Sequence, residues 1–374
     1  MSRLTKAALA GYNFFDSANP PTPPSARPVT NDATLRFAIH QLAQGVSLDR
    51  ESTAAAFGVI MRGEATAVQT AALLMGLRAK GETAAEVAGA VEALRGAMVR
   101  VDTDEPEQLV DTCGTGGGRV STLNISTAAA FIVAGAGVPV AKHGNRSFTS
   151  RSGSADVLEA LGIDISVPPD SAGRVLRSVG LTFLFAPTYH PAMRHVGPVR
   201  KELGVATVMN LVGPLANPAG VTRQVVGVSD ESRAELVART LAALGARHAL
   251  VVHAGVGMDE ISPCGMTSVW EIKEGHLSSW EMDPARYGLE CEDLADLAGG
   301  DPAENAVEIE RLLCGGGNRA VECAVLLNAA AALYVSGNGW SLEEAVTRGR
   351  EALATGAGAG VLARLRKAAP KPGR

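Results

Sequence analysis

Residues Asp111 to Glu159 read DTCGTGGGRVSTLNISTAAAFIVAGAGVPVAKHGNRSFTSRSGSADVLE, two strand-loop-helix units in succession. Leu109-Val110-Asp111 closes a strand-like run and opens onto Gly114-Thr115-Gly116-Gly117-Gly118. A loop so poor in side chains lets backbone N–H groups approach an anion and can take up positive φ angles. Asn124-Ile125-Ser126-Thr127 then stands where a helix beginning with the apolar run Ala128 to Val133 needs its N-cap. Spare N–H donors and small hydroxyls at such an end suit an anion. A second buried strand, Val138 to Ala141, ends in Lys142-His143-Gly144-Asn145-Arg146 and the hydroxyl-rich loop Ser147 to Ser154. Ligands of open α/β sheets collect at the carboxyl ends of strands, so both loops face one crevice. Singly, each feature is more often a turn, a cap or a structural histidine; their succession points to a phosphorylated ligand.

Composition narrows the class. The 374 residues suffice for one large or two medium domains, with 46% hydrophobic, 20% charged and only 4% aromatic residues and 42 glycines. A net charge of −5 offers no general attraction to nucleic acid. The longest apolar run, Ala128 to Ala141, is interrupted by glycines and a proline and falls short of a bilayer span. The first fifteen residues lack a signal-peptide pattern. Cys113, Cys264, Cys291, Cys314 and Cys323 are odd in number and scattered, which predicts reduced thiols in the cytoplasm and no structural zinc.

Outward from the central stretch, residues 1–30 form a proline-rich leader expected to be disordered. Residues 31–100 are helical in pattern, with stops at Gly45, Gly63 and Gly81 and capping boxes at Thr66-x-x-Gln69 and Thr83-x-x-Glu86. They predict a bundle of about four short helices, joined by part of 190–220. Ala71 to Leu77 is apolar enough to suggest a dimer interface. Residues 101–360 alternate: a strand at Ile163 to Val167, a helix at Ser171 to Val179, strands at Thr182 to Ala186, Val225 to Val228 and His248 to His253, with a helix Glu231 to Leu244. Ser268 to Ile272 and Leu277 to Trp280 are candidate antiparallel additions, followed by a long apolar helix Arg319 to Val335. Residues 361–374 are expected to be a flexible basic tail. The class is α/β: a small helical domain and a larger domain with a mostly parallel sheet.

With the central stretch, three further motifs complete a pattern: Pro187 to Gly204 (PTYHPAMRHVGPVRKELG), Asn210 to Pro218 (NLVGPLANP) and Gly257 to Ser262 (GMDEIS). Their order and spacing closely resemble the anthranilate phosphoribosyltransferase family, over about Asp32 to Gly358. The resemblance implies a fold like that of pyrimidine nucleoside phosphorylases. It also implies a pentosyltransferase of tryptophan biosynthesis, which joins anthranilate to 5-phosphoribosyl 1-diphosphate and releases diphosphate.

Carried over by position, it implies that Gly114, Gly117 and Gly118 hold the diphosphate, with Thr122 nearby. Asn124, Ile125, Ser126 and Thr127 would hold the ribose phosphate. Lys142, His143, Gly144, Asn145 and Arg146, then Ser147, Phe148, Thr149, Ser150 and Ser154, would close over the phosphates, with Lys142 stabilising the leaving group. Anthranilate would lie against Gly114, His143, Asn145, His190 and Pro214, with Arg200 pairing its carboxylate. Ser126, Asp259 and Glu260 would hold Mg²⁺, one of two ions, the other travelling with the diphosphate. No dedicated acid or base is implied, because an arylamine is already unprotonated at neutral pH. The expected partners are these small molecules and a second copy of the chain, without nucleic acid or membrane.

Three positions depart from the family pattern. Gly118 stands where Asp is common, removing a carboxylate from the diphosphate site, and Met209 and Ala216 replace Phe and Thr. Within the fold the rival is a nucleoside phosphorylase, opposed by Lys142-His143-Gly144-Asn145 and Arg200. From another class it is a non-catalytic homologue, which Gly118 alone suggests.

Overall fold

The computed structural model describes residues 31–118, 120, 122–147 and 151–371. The leader, and Phe148, Thr149 and Ser150 of the expected phosphate loop, lie outside the described residues. Four helices open the described chain: α1 (Asn31–Ala43), α2 (Arg50–Met61), α3 (Ala67–Lys80) and α4 (Ala84–Ala97). Both capping boxes form, Thr66 with Gln69 and Thr83 with Glu86. Gly45, Gly63 and Gly81 follow helix ends with φ of 72°, 76° and 91°, which stops a helix without a Cβ penalty.

Seven strands form one sheet in the order β3-β2-β1-β4-β5-β6-β7. They are β1 (Val110–Gly114), β2 (Val140–Gly144), β3 (Leu181–Phe185), β4 (Arg223–Gly227), β5 (His248–Ala254), β6 (Thr267–Lys273) and β7 (His276–Met282). The first five are parallel; β6 and β7 add antiparallel at one edge. Crossover helices α5 (Ile125–Gly135), α6 (Ser154–Ala160) and α7 (Pro169–Val179) connect β1 to β2 to β3. The chain then returns to the other side of β1 for β4, so strand order reverses between β1 and β4. That reversal leaves a crevice at their carboxyl ends, where open α/β sheets bind ligands.

Alternation along each strand divides the apolar residues between two cores. Val225, Leu250 and Val252 face one core with α5 and the helix Arg319–Val335. Val226, Ala249 and Val251 face the other, which pools α1 to α4, residues of 192–216 and the helix Ala234–Ala243. The bundle therefore shares its core with one face of the sheet.

The structure corrects four expectations. Val138 and Pro139 precede β2, which instead runs on through Lys142 and His143. Ile163 to Val167 is not a strand; Ile163 makes only an isolated bridge to Pro370. The expected tail is helical from Ala357 to Ala368, because Val361, Leu362 and Leu365 find a buried face to pack on. Cys264 and Cys291 are not free thiols but a disulfide, Cα to Cα 5.1 Å, between loops that approach where the Cys291 N–H donates to the Pro263 carbonyl at 3.0 Å. Cys113, Cys314 and Cys323 remain thiols.

Candidate active site

Gly114 at the end of β1 pairs with Gly227 at the end of β4, so the glycine loop opens into the crevice. Its first amide, Thr115 N–H, donates to the Gly227 carbonyl at 2.9 Å. Gly116 and Gly117 then take φ of 68° and 80°, the left-handed conformation that a glycine adopts without a Cβ penalty. Asp259, in the loop after β5, meets them: its Oδ2 accepts the Gly116 N–H at 2.9 Å. A Cβ on Gly114 would lie 2.7 Å from that oxygen, and one on Gly227 would overlap the Asp259 carbonyl. Close approach of backbone requires glycine at Gly227, and at Gly114 a Cβ would push the Asp259 carboxylate aside. A Cβ at Gly118 would stand 3.2 Å from Asp259 Oδ1, so the family's usual aspartate would set two carboxylates side by side here.

Glu260 reaches the start of α5. Its Oε1 accepts the Ser126 N–H at 2.9 Å and its Oε2 the Thr122 hydroxyl at 3.4 Å. The acidic loop is pinned from behind by Asn328, which accepts the Ile261 N–H at 3.1 Å and donates to the Ile261 carbonyl at 2.8 Å. Burial, with the neighbouring Asp259 charge, pushes Glu260 up to about 8; burial also raises Asp259. Two crowded carboxylates with hard oxygen donors fit a divalent cation that keeps several waters, as Mg²⁺ does. Lys142 supplies positive charge from below. It is only 3% exposed, and its Nζ donates to the Thr112 carbonyl at 2.5 Å and approaches Ser126 Oγ at 3.3 Å.

On the acceptor side, His143 Nε2 and His190 Nε2 lie 3.2 Å apart, both rings buried. Burial, helped first by the neighbouring His190 and then by the charge of Lys142, lowers His143 to about 3; burial lowers His190 to about 4. Both are neutral at physiological pH, so one can donate to the other. His190 Nδ1 is buried without a hydrogen-bond partner among the described residues. Pro214 stands in the turn Gly213–Leu215, its carbonyl accepting from Gln224 Nε2 at 3.2 Å. Arg200, on the helix Gly197–Leu203, is half-buried, which lowers its pKa. Its guanidinium has no acidic partner among the described residues, only a 3.5 Å bond to Asn210.

Other expected residues serve the scaffold in this structure. Ile125 and Thr127 turn into the core on α5. Asn124 joins the phosphate loop to a distant helix: it donates to the Ser152 carbonyl and accepts from Ser152 Oγ and Asn305 Nδ2, each at 3.0 Å. Asn145 accepts its neighbour Arg146's N–H at 2.8 Å, and Ser154 Oγ donates to the Asn145 carbonyl at 3.2 Å. The Arg146 guanidinium is paired with Asp156 and Glu159 of α6, while the Ser147 N–H donates to Asp156 at 3.2 Å. Asn305 and Asn328 carry no sequence signal for these bracing roles, since their partners lie 181 and 67 residues away. A cavity of about 590 Å³, lined by Leu123, Asn305, Asn318 and others, contains none of the expected contact residues.

Comparison with known proteins agrees with this fold. The family model described as "Glycosyl transferase family, a/b domain" matches residues 106–359, and that of the "helical bundle domain" matches 37–98. The anthranilate phosphoribosyltransferase of a Bradyrhizobium species (strain ORS 278) is 50% identical over 331 residues, 88% of this chain and 97% of the relative. The crystal structure of anthranilate phosphoribosyltransferase from Thermus thermophilus superposes with a TM-score of 0.83 at 41% identity, covering 88% of this chain and 99% of the other. That from Saccharomyces cerevisiae, in complex with PRPP and Mg, gives 0.82 at 29% identity, covering 90% and 98%. Glycine loop, acidic pair, paired histidines and two-domain matches together place the chain in the anthranilate phosphoribosyltransferase family of glycosyl transferases.

Proposed function

We propose that this chain transfers the phosphoribosyl group of 5-phosphoribosyl 1-diphosphate to the amine of anthranilate, releasing diphosphate. The observation that carries the reading is the meeting of the glycine loop and the acidic pair at the switch point, where the Gly116 amide touches Asp259. A magnesium diphosphate needs both an amide-lined cradle and hard carboxylate oxygens, and here they are one surface. Asp259, Glu260 and Ser126 would hold Mg²⁺, which supplies charge neutralisation to the leaving group when bound. The stronger form of the proposal has two ions, the second arriving on the diphosphate.

Breaking the ribose C1–O bond loads negative charge onto the departing diphosphate, and amides fixed in advance stabilise that charge without reorganising. The loop amides at Gly116 to Gly118 would serve this, that of Gly116 once Asp259 turns to the cation, and the buried Lys142 ammonium would add a fixed positive field. On the other side the neutral histidines and Pro214 offer an uncharged wall for an aromatic ring. The unpaired Arg200 guanidinium suits its carboxylate. The amine lone pair forms the C1–N bond directly, and the resulting arylammonium is acidic enough to shed its proton without a strong base. Positioning supplies the remaining acceleration.

A homodimer and a cytoplasmic setting belong to the same reading. Phe37 on α1 and Val68 and Met75 on α3 form exposed apolar surface, which supports the first; three unpaired thiols support the second, and the Cys264–Cys291 bridge weighs against it. The test is loss of anthranilate fluorescence on mixing protein, Mg²⁺ and 5-phosphoribosyl 1-diphosphate, with each component omitted in turn. Loss that needs every component is expected; no loss in the complete mixture rejects the assignment.

A further inference from the structure

Asp111 faces no ligand: it is the second residue of β1 and fully buried. Its surroundings are unusual for a parallel sheet. β1 pairs with β4 through all five residues, Val110 to Gly114, yet with β2 only through Val110 and Val140. Beyond that point the β1–β2 ladder is replaced by two charged side chains. The His143 N–H, which would otherwise seek a carbonyl of β1, donates to Asp111 Oδ1 at 3.1 Å. The Thr112 carbonyl, left without a ladder donor, is taken by Lys142 Nζ at 2.5 Å.

The other carboxylate oxygen reaches the loop that carries Pro214. Asp111 Oδ2 accepts from Asn217 Nδ2 at 2.8 Å and from Gln224 Nε2 at 3.5 Å. Gln224 Nε2 also donates to the Pro214 carbonyl at 3.2 Å, and Asn217 Nδ2 to the Ala141 carbonyl at 2.8 Å. One carboxylate thus sets the places of His143, which the resemblance puts against both substrates, and of Pro214 on the acceptor side, while the glycine loop is held separately by β4 and Asp259. A buried carboxylate is costly unless hydrogen-bonded and opposed by positive charge. A valine here would leave the His143 amide and the Asn217 and Gln224 side chains short of an acceptor.

We propose that Asp111 is a positioning residue for the acceptor half of the site, wedging β2 away from β1 and fixing His143 and Pro214 against the incoming amine. The inference rests on the reaction proposed above. Its test is steady-state kinetics of the full chain with Mg²⁺, both substrates varied, for the wild type and Asp111→Asn. The amide keeps the shape but cannot accept from all three donors. We expect the KM for anthranilate to rise at least tenfold while that for 5-phosphoribosyl 1-diphosphate stays within twofold. A residue that merely held the fold together would move both. Should Asp111→Asn not fold, Gln224→Met cuts only the branch to Pro214, and the same asymmetry is expected at three- to fivefold. Parallel rises in both KM values, or a fall in kcat alone, overturn the inference with the reaction intact. A wild type that consumes no anthranilate overturns the reaction and this inference with it.

Discussion

Arg200 shows what a single residue contributes before any ligand arrives. A half-buried guanidinium without an acid partner has lost part of its hydration and regained little. An incoming carboxylate restores that loss, and a charge-assisted pair of this kind is worth about 1.5–3 kcal/mol. Arg200→Ala is therefore expected to raise the KM for anthranilate roughly ten- to hundredfold and leave that for 5-phosphoribosyl 1-diphosphate nearly unchanged. Kinetics with each substrate varied checks this, and equal losses for both would remove Arg200 from the carboxylate. The histidine pair gives a prediction in pH. His143 and His190 sit at about 3 and about 4 in the fold against an ordinary 6.5, so the unfolded chain binds protons that the native one refuses. Their share of stability is intact above pH 6.5 and is lost as pH falls toward 4 and 3. Denaturant unfolding at pH 7, 5.5 and 4.5 should show the slope, and His190→Gln should remove one histidine's share of it.

At the scale of elements, the glycine loop, α5 and the capping boxes were legible because their signals are local. Glu86 could be read as the partner of Thr83, since both lie in one turn. Its additional bonds to the Leu48 N–H, just before α2, and to Lys80 Nζ, at the end of α3, each 2.9 Å, depend on how those segments pack against α4 and leave no mark in the sequence. The sequence pattern starts β2 two residues early for a related reason. Lys142 and His143 look like loop residues until Asp111 and Thr112 of the neighbouring strand satisfy them. Asp111 itself was read only as the end of a strand, because its three partners come from β2, β4 and the Asn217 turn. α5 positions Ser126 through its buried face, on which Phe131 is wholly enclosed. Phe131→Ala should destabilise the protein by about 3–5 kcal/mol, measured by urea unfolding, through lost burial and the cavity left behind. A loss below 1 kcal/mol would mean that the surrounding helices close the gap.

For the whole molecule, two cores and one disulfide decide what moves together. The bundle shares its core with one face of the sheet, so it cannot separate from the sheet without exposing Val226, Ala249 and Val251. The Cys264–Cys291 bridge spans 27 residues and ties the chain just beyond the acidic loop to the segment leading toward Leu289 and Leu297, both fully buried. Closing a loop of that size removes unfolded-state freedom worth about 3–4 kcal/mol in the chain-entropy account. Cys291→Ser, or reduction, should lower the melting temperature by several degrees in differential scanning calorimetry. An unchanged melting temperature would show that the bridge constrains nothing that its packing does not already hold. This pairing was not legible, since scattered cysteines reveal a partner only once the loops between them are folded.

The contact between Asp259 and the Gly116 amide bears on a different matter, the company the site keeps. In the reaction proposed above, the glycine loop works among free phosphate, sulfate and nucleotides, all able to compete for the same amides. Here the first comer is already part of the chain. A lone anion must dislodge a carboxylate of its own sign and leaves that carboxylate without a partner. An anion that brings its own divalent cation meets no such exclusion, because the displaced carboxylate has somewhere to go. Gly118, adding no second carboxylate beside Asp259, keeps that discrimination in the hands of one side chain.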